Sequence, residues 1–200
     1  MKKSTLSLLL LAGIAAQPAM AGDWFVRGGA TLVDPKSDNG ELAGYDASIG
    51  SNTQLGLTFG YHISPSVAFE VLAATPFSHE VSLDGLGEVA EFKHLPPTFS
   101  VQYYFNAEGT VSPFIGAGLN YTWTFDEETK GALDGNDISI DNSFGLAGQL
   151  GLRFALANDW DIVADARYID ISADVKLNGT DIGTADVNPM VYSIMLGKRF

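Results

Sequence analysis

The chain has 200 residues, with 24 Asp and Glu against 11 Lys and Arg and a formal net charge of −13. An acidic balance of this size argues against nucleic-acid binding, which requires basic patches. The sequence contains no cysteine, which fits an exported protein that does not rely on disulfides. Its length, without a Pro-rich or Ser-rich linker, indicates one domain.

The first 21 residues have the pattern of a secretory signal peptide, so we expect a signal at 1–21 and one barrel domain at 22–200. Lys2 and Lys3 precede the apolar stretch Leu6–Ala16, and Ala19–Ala21 forms a small-x-small cleavage site. The apolar stretch is shorter than the roughly 20 residues that a spanning helix needs, which disfavours a membrane anchor. Because the signal contains two lysines and no acidic residue, its removal leaves nine basic and 24 acidic residues, a formal charge of −15.

Eight stretches of alternating apolar and polar residues follow, and each predicts a β-strand. In chain order they are Asp23–Leu32, Thr53–His62, Val67–Thr75, Thr98–Phe105, Pro113–Phe125, Ser143–Leu156, Trp160–Asp170 and Met190–Phe200. The four long connections at 33–52, 76–97, 126–142 and 171–189 alternate with three short ones that carry turn-forming residues. This rhythm and the even strand number predict an all-β fold, an eight-stranded antiparallel transmembrane β-barrel with short periplasmic turns and long extracellular loops.

Alternation alone does not say which face of each strand points outward. A soluble, lipocalin-like barrel would place the apolar face inside, around a ligand. The polar face is rich in Gly, Gln and Asn, which suit a tight lumen, and aromatic residues lie near strand ends, as membrane interfaces require. These aromatic residues are Trp24, Tyr61, Tyr103, Phe105, Tyr121, Trp123, Trp160 and Phe200. Together these features favour the membrane barrel, with the soluble barrel as the alternative.

Several blocks of sequence carry a family resemblance along the mature chain. They are Asn52–Phe59, Glu70–Phe77, Lys93–Thr98 with Gln102–Phe105, Pro113–Tyr121 and Gly197–Phe200. The chain resembles the outer membrane protein W (OmpW) family. The resemblance implies a multi-pass protein of the Gram-negative outer membrane with a narrow, largely apolar channel, passive uptake of small hydrophobic molecules and their sideways release into the membrane. Some members are linked to stress responses and to colicin or phage reception.

The same resemblance implies the partners of the chain. They are outer-membrane lipid and lipopolysaccharide, small hydrophobic solutes and the outer-membrane assembly machinery, for which the terminal Phe200 is the expected assembly signal. Passive flow requires no cofactor or energy input.

An eight-stranded barrel has an interior that side chains nearly fill, so the channel must contain a constriction. Leu72 points inward among polar neighbours, and the resemblance makes it a candidate for that constriction. Where the family leads us to expect an inward aromatic residue, this chain has Arg167, a cation that should find a carboxylate in a low-dielectric lumen. Glu70 and Asp165 share its inward face by alternation. The alternative is that Leu72 fills the lumen and that the charges form a bracing network.

That bracing network would include two further arginines, Arg27 and Arg153, and would have a structural role. A lumen closed by such pairs would favour a surface barrel without transport over a conduit.

Three prolines are candidates for a lateral opening. Pro76 ends the third strand and has no ladder donor, and Pro96 and Pro97 precede the fourth. The alternative is that these prolines only end strands where loops begin.

The remaining candidate sites give weak signals. Most acidic residues lie in the long connections, where a solvated acidic surface is the expected interpretation, and Asp134–Asp137 does not have the spacing of a calcium loop. His79 and His94 lie in one long connection without metal-ligand spacing, so we expect no metal site. Ser78 beside His79 is not a catalytic pair, and no Gly-x-Ser-x-Gly motif is present.

The sequence therefore predicts a non-enzymatic barrel that admits small hydrophobic molecules. The alternative is a surface barrel without transport, for adhesion, stress tolerance or phage and colicin docking.

Overall fold

Eight strands close into an antiparallel barrel in the computed structural model, which describes residues 23–200. They are β1 (Trp24–Asp34), β4 (Asn52–Ser64), β5 (Val67–Ala74), β8 (Thr98–Tyr104), β9 (Val111–Thr129), β11 (Ser143–Ala155), β12 (Trp160–Ile169) and β15 (Met190–Arg199). Pairing of β1 with β15, from Phe25 opposite Arg199 to Asp34 opposite Met190, closes the cylinder. The predicted eight-stranded fold is confirmed. The predicted signal peptide lies outside the described residues.

The long connections predicted as loops contain further strands. They are β2 (Glu41–Leu42), β3 (Tyr45–Ile49), β6 (Phe77–Leu83), β7 (Gly87–Leu95), β10 (Ile138–Ile140), β13 (Ser172–Leu177) and β14 (Thr180–Asp186). β3, β6 and β7 extend the barrel sheet beside the long strand β9, whereas β10, β13 and β14 form a separate three-stranded sheet. Two 3-10 turns occupy Gly131–Leu133 and Ala157–Asp159. The long connections therefore form an ordered extracellular extension of the barrel.

No helix in residues 23–200 is both long and apolar enough to span a bilayer.

Apolar side chains cover the outside of the barrel and polar side chains fill much of its inside. Leu146, Leu150 and Ile194 are 67%, 63% and 66% exposed, whereas Arg27 and Arg167 are each 1% exposed. The apolar face therefore points outward, toward lipid, as the membrane prediction requires. Trp24 and Tyr61 pack with ring centroids 4.9 Å apart at the end that holds the short turns, where an interfacial aromatic girdle belongs.

The interior is layered along the barrel axis. A small cluster around Phe25, Tyr104 and Phe114 lies toward the short turns, and a larger apolar cluster that includes Phe77 and Ile171 fills the extracellular extension. Gly60 makes room for the smaller cluster, because a Cβ atom there would lie 2.0 Å from Cζ of Phe25. The barrel also contains buried polar and charged side chains, which belong to neither of these two apolar clusters.

The last residue, Phe200, lies on the short-turn side of the barrel. Its backbone N–H donates to the carbonyl of Trp24 over 2.9 Å, and its side chain is 62% exposed. An exposed aromatic side chain at the end of the closing strand is compatible with recognition during assembly, and that role stays a prediction.

Candidate functional site

A buried ionic network crosses the barrel lumen. Nη2 and Nε of Arg27 donate to the two carboxylate oxygens of Asp161 over 3.1 and 3.2 Å, and Nη1 donates to Glu70 over 3.2 Å. The other oxygen of Glu70 accepts from Nη2 of Arg167 over 3.0 Å, and Asp165 lies 3.8 Å from the same nitrogen. Glu70, on β5, therefore bridges two arginines that come from different strands, β1 and β12.

Neutral polar side chains extend the network across the remaining strands. Nε2 of Gln149 donates to Asp165 over 3.1 Å, and Nε2 of Gln102 donates to Gln149 over 3.0 Å. The hydroxyl of Tyr104 donates to Gln102 over 2.7 Å. Removal of one partner from a buried ion pair typically costs about 3–5 kcal/mol, because the other charge is left uncompensated. These polar side chains occupy the centre of the lumen and obstruct a straight aqueous path.

The four candidate constriction residues lie close to this network. Glu70, Asp165 and Arg167 are part of it, and Leu72, two residues along the same inward face of β5, is 4% exposed. The predicted participation of Arg153 is wrong, because Arg153 faces Ser112 near the short turns and, among residues 23–200, has no carboxylate within 4.0 Å.

Sequence reasoning missed Asp161, which binds Arg27 through both oxygens. Its position on the face of Asp165, four residues away, was a signal that could have identified it.

The barrel wall has an unpaired window between β5 and β8. Their ladder ends where Leu72 lies opposite Thr98, and pairing resumes only where Phe77 of β6 lies opposite His94 of β7. Residues 73–76 on one side and 95–97 on the other are not paired across this gap. On the side away from the gap, each segment remains hydrogen-bonded to its other neighbouring strand. The Thr75 N–H donates to the carbonyl of Leu55, and the Pro97 carbonyl accepts from the Tyr121 N–H.

The three candidate prolines all line this window. Pro76 lies on one side and Pro96 and Pro97 on the other, and none of them has an N–H to donate across the gap. We define this window as residues 73–76 and 95–97. The structure therefore brings together residues that the sequence places 20 positions apart, at a break in the wall.

The window adjoins the apolar cluster of the extracellular extension, because Ala74 packs against that cluster. A cavity of about 30 Å³ lies inside the cluster, and most of the residues that line it are apolar. This free volume is on the order of one water molecule, so an apolar solute must displace lining side chains to enter. The lining comes from β2, β3, β6, β7, β9, β10, β11, β13 and β14 and includes Leu42, Ile49, Phe92, Ile138 and Val187.

Two histidines are buried in the same cluster. Nε2 of His79 lies 3.1 Å from Nε2 of His94, and Nδ1 of His79 bonds to the carbonyl of Gly50. Burial lowers the pKa of His79; burial, and to a lesser degree the His79 ring, lowers the pKa of His94 to about 3. Both rings are therefore neutral at physiological pH and satisfy each other within an apolar environment.

The weak metal and enzyme signals have structural explanations in the described part of the chain. Residues 23–200 contain no group of three or more His, Asp and Glu side chains placed to hold a metal ion. Ser78 bonds to Glu91, whereas the neighbouring His79 faces the interior and bonds to Gly50 and His94. Ser78 and His79 therefore do not form a nucleophile–base pair.

Comparison with known proteins agrees with this architecture. The model of the OmpW family matches residues 20–200. The chain is 41% identical over 217 aligned residues to outer membrane protein W of Vibrio cholerae, with all of both chains covered. It is 27% identical, again over the whole of both chains, to a Pseudomonas aeruginosa protein named dibenzothiophene metabolism operon protein PahQ.

Among solved structures, the crystal structure of the outer membrane protein OprG from Pseudomonas aeruginosa is similar, with a TM-score of 0.78 and 36% identity. The match covers 90% of this chain and 96% of that chain. The closed barrel and these matches establish a protein of the Gram-negative outer membrane. The chain belongs to the OmpW family.

Proposed function

We propose that this barrel admits small hydrophobic molecules passively and releases them sideways through the window into the outer membrane. The observation that carries the proposal is the contact between Ala74, at the edge of the window, and the apolar cluster that surrounds the extracellular cavity. An apolar solute that enters the cluster has an apolar path to the wall. Straight passage would instead require it to cross the ionic network of Arg27, Glu70 and Arg167.

Desolvation decides between the two routes. Apolar solutes gain free energy in proportion to the apolar area that they remove from water, about 25 cal/mol per Å². The apolar cluster and the hydrocarbon of the bilayer both offer that gain, whereas the charged lumen does not. Support also comes from the relative whose name places it in an operon of dibenzothiophene metabolism, since dibenzothiophene is an apolar aromatic compound.

The lateral route can be tested with a reversible thiol bridge, because the chain has no cysteine of its own. Ala73 and Pro97 are the first unpaired positions beyond the last ladder pair, so the double variant A73C/P97C allows the window to be bridged. The matched control is V71C/F99C, which bridges the neighbouring pair in the intact ladder. Uptake of dibenzothiophene is measured in vesicles with lipopolysaccharide in the outer leaflet, against vesicles without protein.

We expect the bridge in A73C/P97C to lower uptake to the level of protein-free vesicles and its reduction to restore uptake. The bridge in V71C/F99C should leave uptake unchanged. Equal uptake with the window bridged and open would refute lateral release while leaving a channel function intact.

The proposed constriction at Leu72, Glu70, Asp165 and Arg167 has a separate readout. L72A and R167Q should raise ion conductance through the lumen, because they remove a buried side chain or a cross-barrel contact. Apolar uptake through the window should change little. Unaltered conductance in both variants would mean that these residues only fill the lumen.

A second function is favoured by one observation, the closure of the lumen by paired arginines and carboxylates. A closed lumen suits a surface barrel for adhesion, stress tolerance or phage and colicin docking, carried by the extracellular strands. A correctly folded barrel without uptake in any of these vesicles would support that function and exclude the conduit.

A further inference from the structure

The periplasmic mouth of the lumen contains a cavity that the proposed transport route does not use. It has a volume of about 510 Å³ and lies between the β4–β5 turn, the β8–β9 turn and the ends of β11 and β15. Three basic side chains line it: His62 from β4, Arg153 from β11 and Arg199 from β15. Three separate strands therefore direct basic groups into one space.

Several nitrogen atoms of these three basic side chains have no hydrogen-bond partner in the described part of the chain. Both ring nitrogens of His62 and the Nε atoms of Arg153 and Arg199 are buried without a hydrogen-bond partner. His62 is 6% exposed and Arg153 is 3% exposed. Nη2 of Arg153 donates to Ser112 over 2.8 Å and to the Ala107 carbonyl, which fixes the guanidinium beside the β8–β9 turn. Buried polar side-chain atoms in folded proteins nearly always have a partner, so this concentration of unpaired nitrogens requires an explanation.

The charge around the cavity is also uncompensated at close range. Within residues 23–200, no carboxylate lies within 4.0 Å of the guanidinium of Arg153 or Arg199, whereas Arg27, deeper in the lumen, binds both Asp161 and Glu70. Both arginines and the His62 ring line this one cavity. Two carboxylates, those of Asp23 and Glu108, line the cavity, but both residues are exposed at its rim.

We propose that this cavity binds a small oxyanion, a phosphate or carboxylate group, that enters from the periplasmic side. The planar guanidinium matches the oxygens of such a group in a bidentate arrangement, and a charge-assisted hydrogen bond is about twice as strong as a neutral one. The oxyanion would supply the acceptors that Arg153, Arg199 and His62 lack. The site needs no transported solute and is independent of the lateral window.

A bound oxyanion would connect three strands that are not neighbours in the barrel. β4, β11 and β15 carry the three basic residues, and no two of them pair with each other in the sheet. A ligand that binds only the folded state stabilises that state by RT ln(1 + L/Kd), where L is the free ligand concentration. Binding should therefore appear as an increase in thermal stability as well as a direct signal.

The test uses the refolded mature barrel in nanodiscs of phosphatidylcholine, with inorganic phosphate as the probe and chloride to keep the ionic strength constant. We expect saturable binding of phosphate by calorimetry and a rise in the thermal midpoint that begins near the same dissociation constant and continues with the logarithm of the phosphate concentration. R199Q should weaken binding by about tenfold or more, and R199K should restore only part of it because it keeps the charge and loses the planar fork. K176Q, which removes a lysine that pairs with Asp141 in the extracellular extension, is the matched control and should bind phosphate normally.

A second nanodisc preparation, with phosphatidylglycerol, distinguishes the two sources of the group. If the natural ligand is a lipid headgroup, phosphatidylglycerol will stabilise the wild-type barrel but not R199Q, and added phosphate will have no further effect. If the ligand is a free periplasmic anion, phosphate will stabilise the barrel equally in both lipids. No saturable binding together with equal stability in both lipids, or binding that is unchanged in R199Q, overturns the proposal. Because Arg199 is half-buried and makes no ion pair with any residue in the described part of the chain, R199Q also tests the site without removing a partner from the deeper network.

Discussion

The rings of His79 and His94 meet edge to face in the extracellular extension, with centroids 4.8 Å apart and Phe77 and Phe92 around them. A protonated imidazole in this environment would lose its hydration and repel its neighbour. The unfolded hairpin has no such cost, so its histidines bind protons near the ordinary pKa of about 6.5. Folding of β6 and β7 is therefore linked to pH through these two side chains.

The sign of that linkage follows from the lowered pKa values. The folded hairpin resists protonation until the pH approaches the pKa of His94, which is about 3. The stabilising contribution is complete above the unfolded pKa and is lost progressively as the pH falls from about 6.5 toward 3. We expect nitrogen-15 NMR to show a neutral His94 ring down to about pH 5, and hydrogen exchange to show weaker protection of residues 77–95 there than at neutral pH. H94Q, which removes the more perturbed ring, should flatten this dependence. A ring that titrates near its ordinary pKa would contradict the buried, neutral pair.

At the level of the element, the alternation of apolar and polar residues was sufficient to predict the barrel strands, because each strand has one face toward lipid and the other toward the lumen. The same pattern continues in β6, where Phe77, His79, Val81 and Leu83 are buried, yet the connection was predicted as a loop. In the partner strand β7, however, Val89 and Ala90 are consecutive and both buried, because the register shifts opposite Val81 and Ser82, and this bulge interrupts the period that identifies a strand. Acidic residues interspersed among the apolar ones further obscured the strand pattern of this connection.

For the candidate site as well, sequence alternation was sufficient for one part and insufficient for another. Alternation places Glu70, Asp165 and Arg167 on the inward face, and side chains of a narrow lumen must meet, so that part of the site follows from the sequence. Glu70 and Arg167 are 97 positions apart in the sequence. The pairing of each carboxylate with its arginine depends on how far neighbouring strands are shifted along each other, and alternation gives no information about that shift. The contact of His79 with His94 likewise depends on the hairpin register. Arg153 was misassigned because alternation specifies a face but no depth along the barrel axis.

The first and last strands of the barrel approach each other closely at Gly29. A Cβ atom on Gly29 of β1 would lie 2.0 Å from the carbonyl oxygen of Ile194 and 2.6 Å from Cα of Met195, both of them backbone atoms of β15. We expect Gly29→Ala to lower the free energy of unfolding by about 1–3 kcal/mol or more, since neither strand can move without disturbing the closing ladder. Urea unfolding followed by tryptophan fluorescence measures the loss.

Gly148 provides the matched control for this substitution. It lies in β11, faces outward, and an added Cβ would meet no atom within 4 Å. Gly148→Ala should change the unfolding midpoint little. Equal midpoints for the Gly29 and Gly148 variants would show that the closing strands adjust at no cost.

At the scale of the whole molecule, one apolar band surrounds the barrel while the extracellular extension carries most of the acidic residues. Leu150, in the middle of β11, is 63% exposed, and Leu86, at the tip of the β6–β7 hairpin, is 39% exposed. Both are leucines that soluble-protein reasoning would treat as equivalent surface positions. The membrane makes them different, because one faces hydrocarbon and the other faces water.

That difference gives a test of how the molecule lies in the bilayer. Leu150→Arg should lower the free energy of unfolding in phosphatidylcholine vesicles by about 2–4 kcal/mol, the cost of an arginine on the lipid face near the midplane. Leu86→Arg should have an effect within about 0.5 kcal/mol, as for an ordinary surface substitution. Reversible urea titrations of the two variants under identical conditions measure both values. Equal losses would place Leu150 outside the hydrocarbon region and would require the apolar band, and with it the position of the window relative to the bilayer, to be moved along the barrel axis.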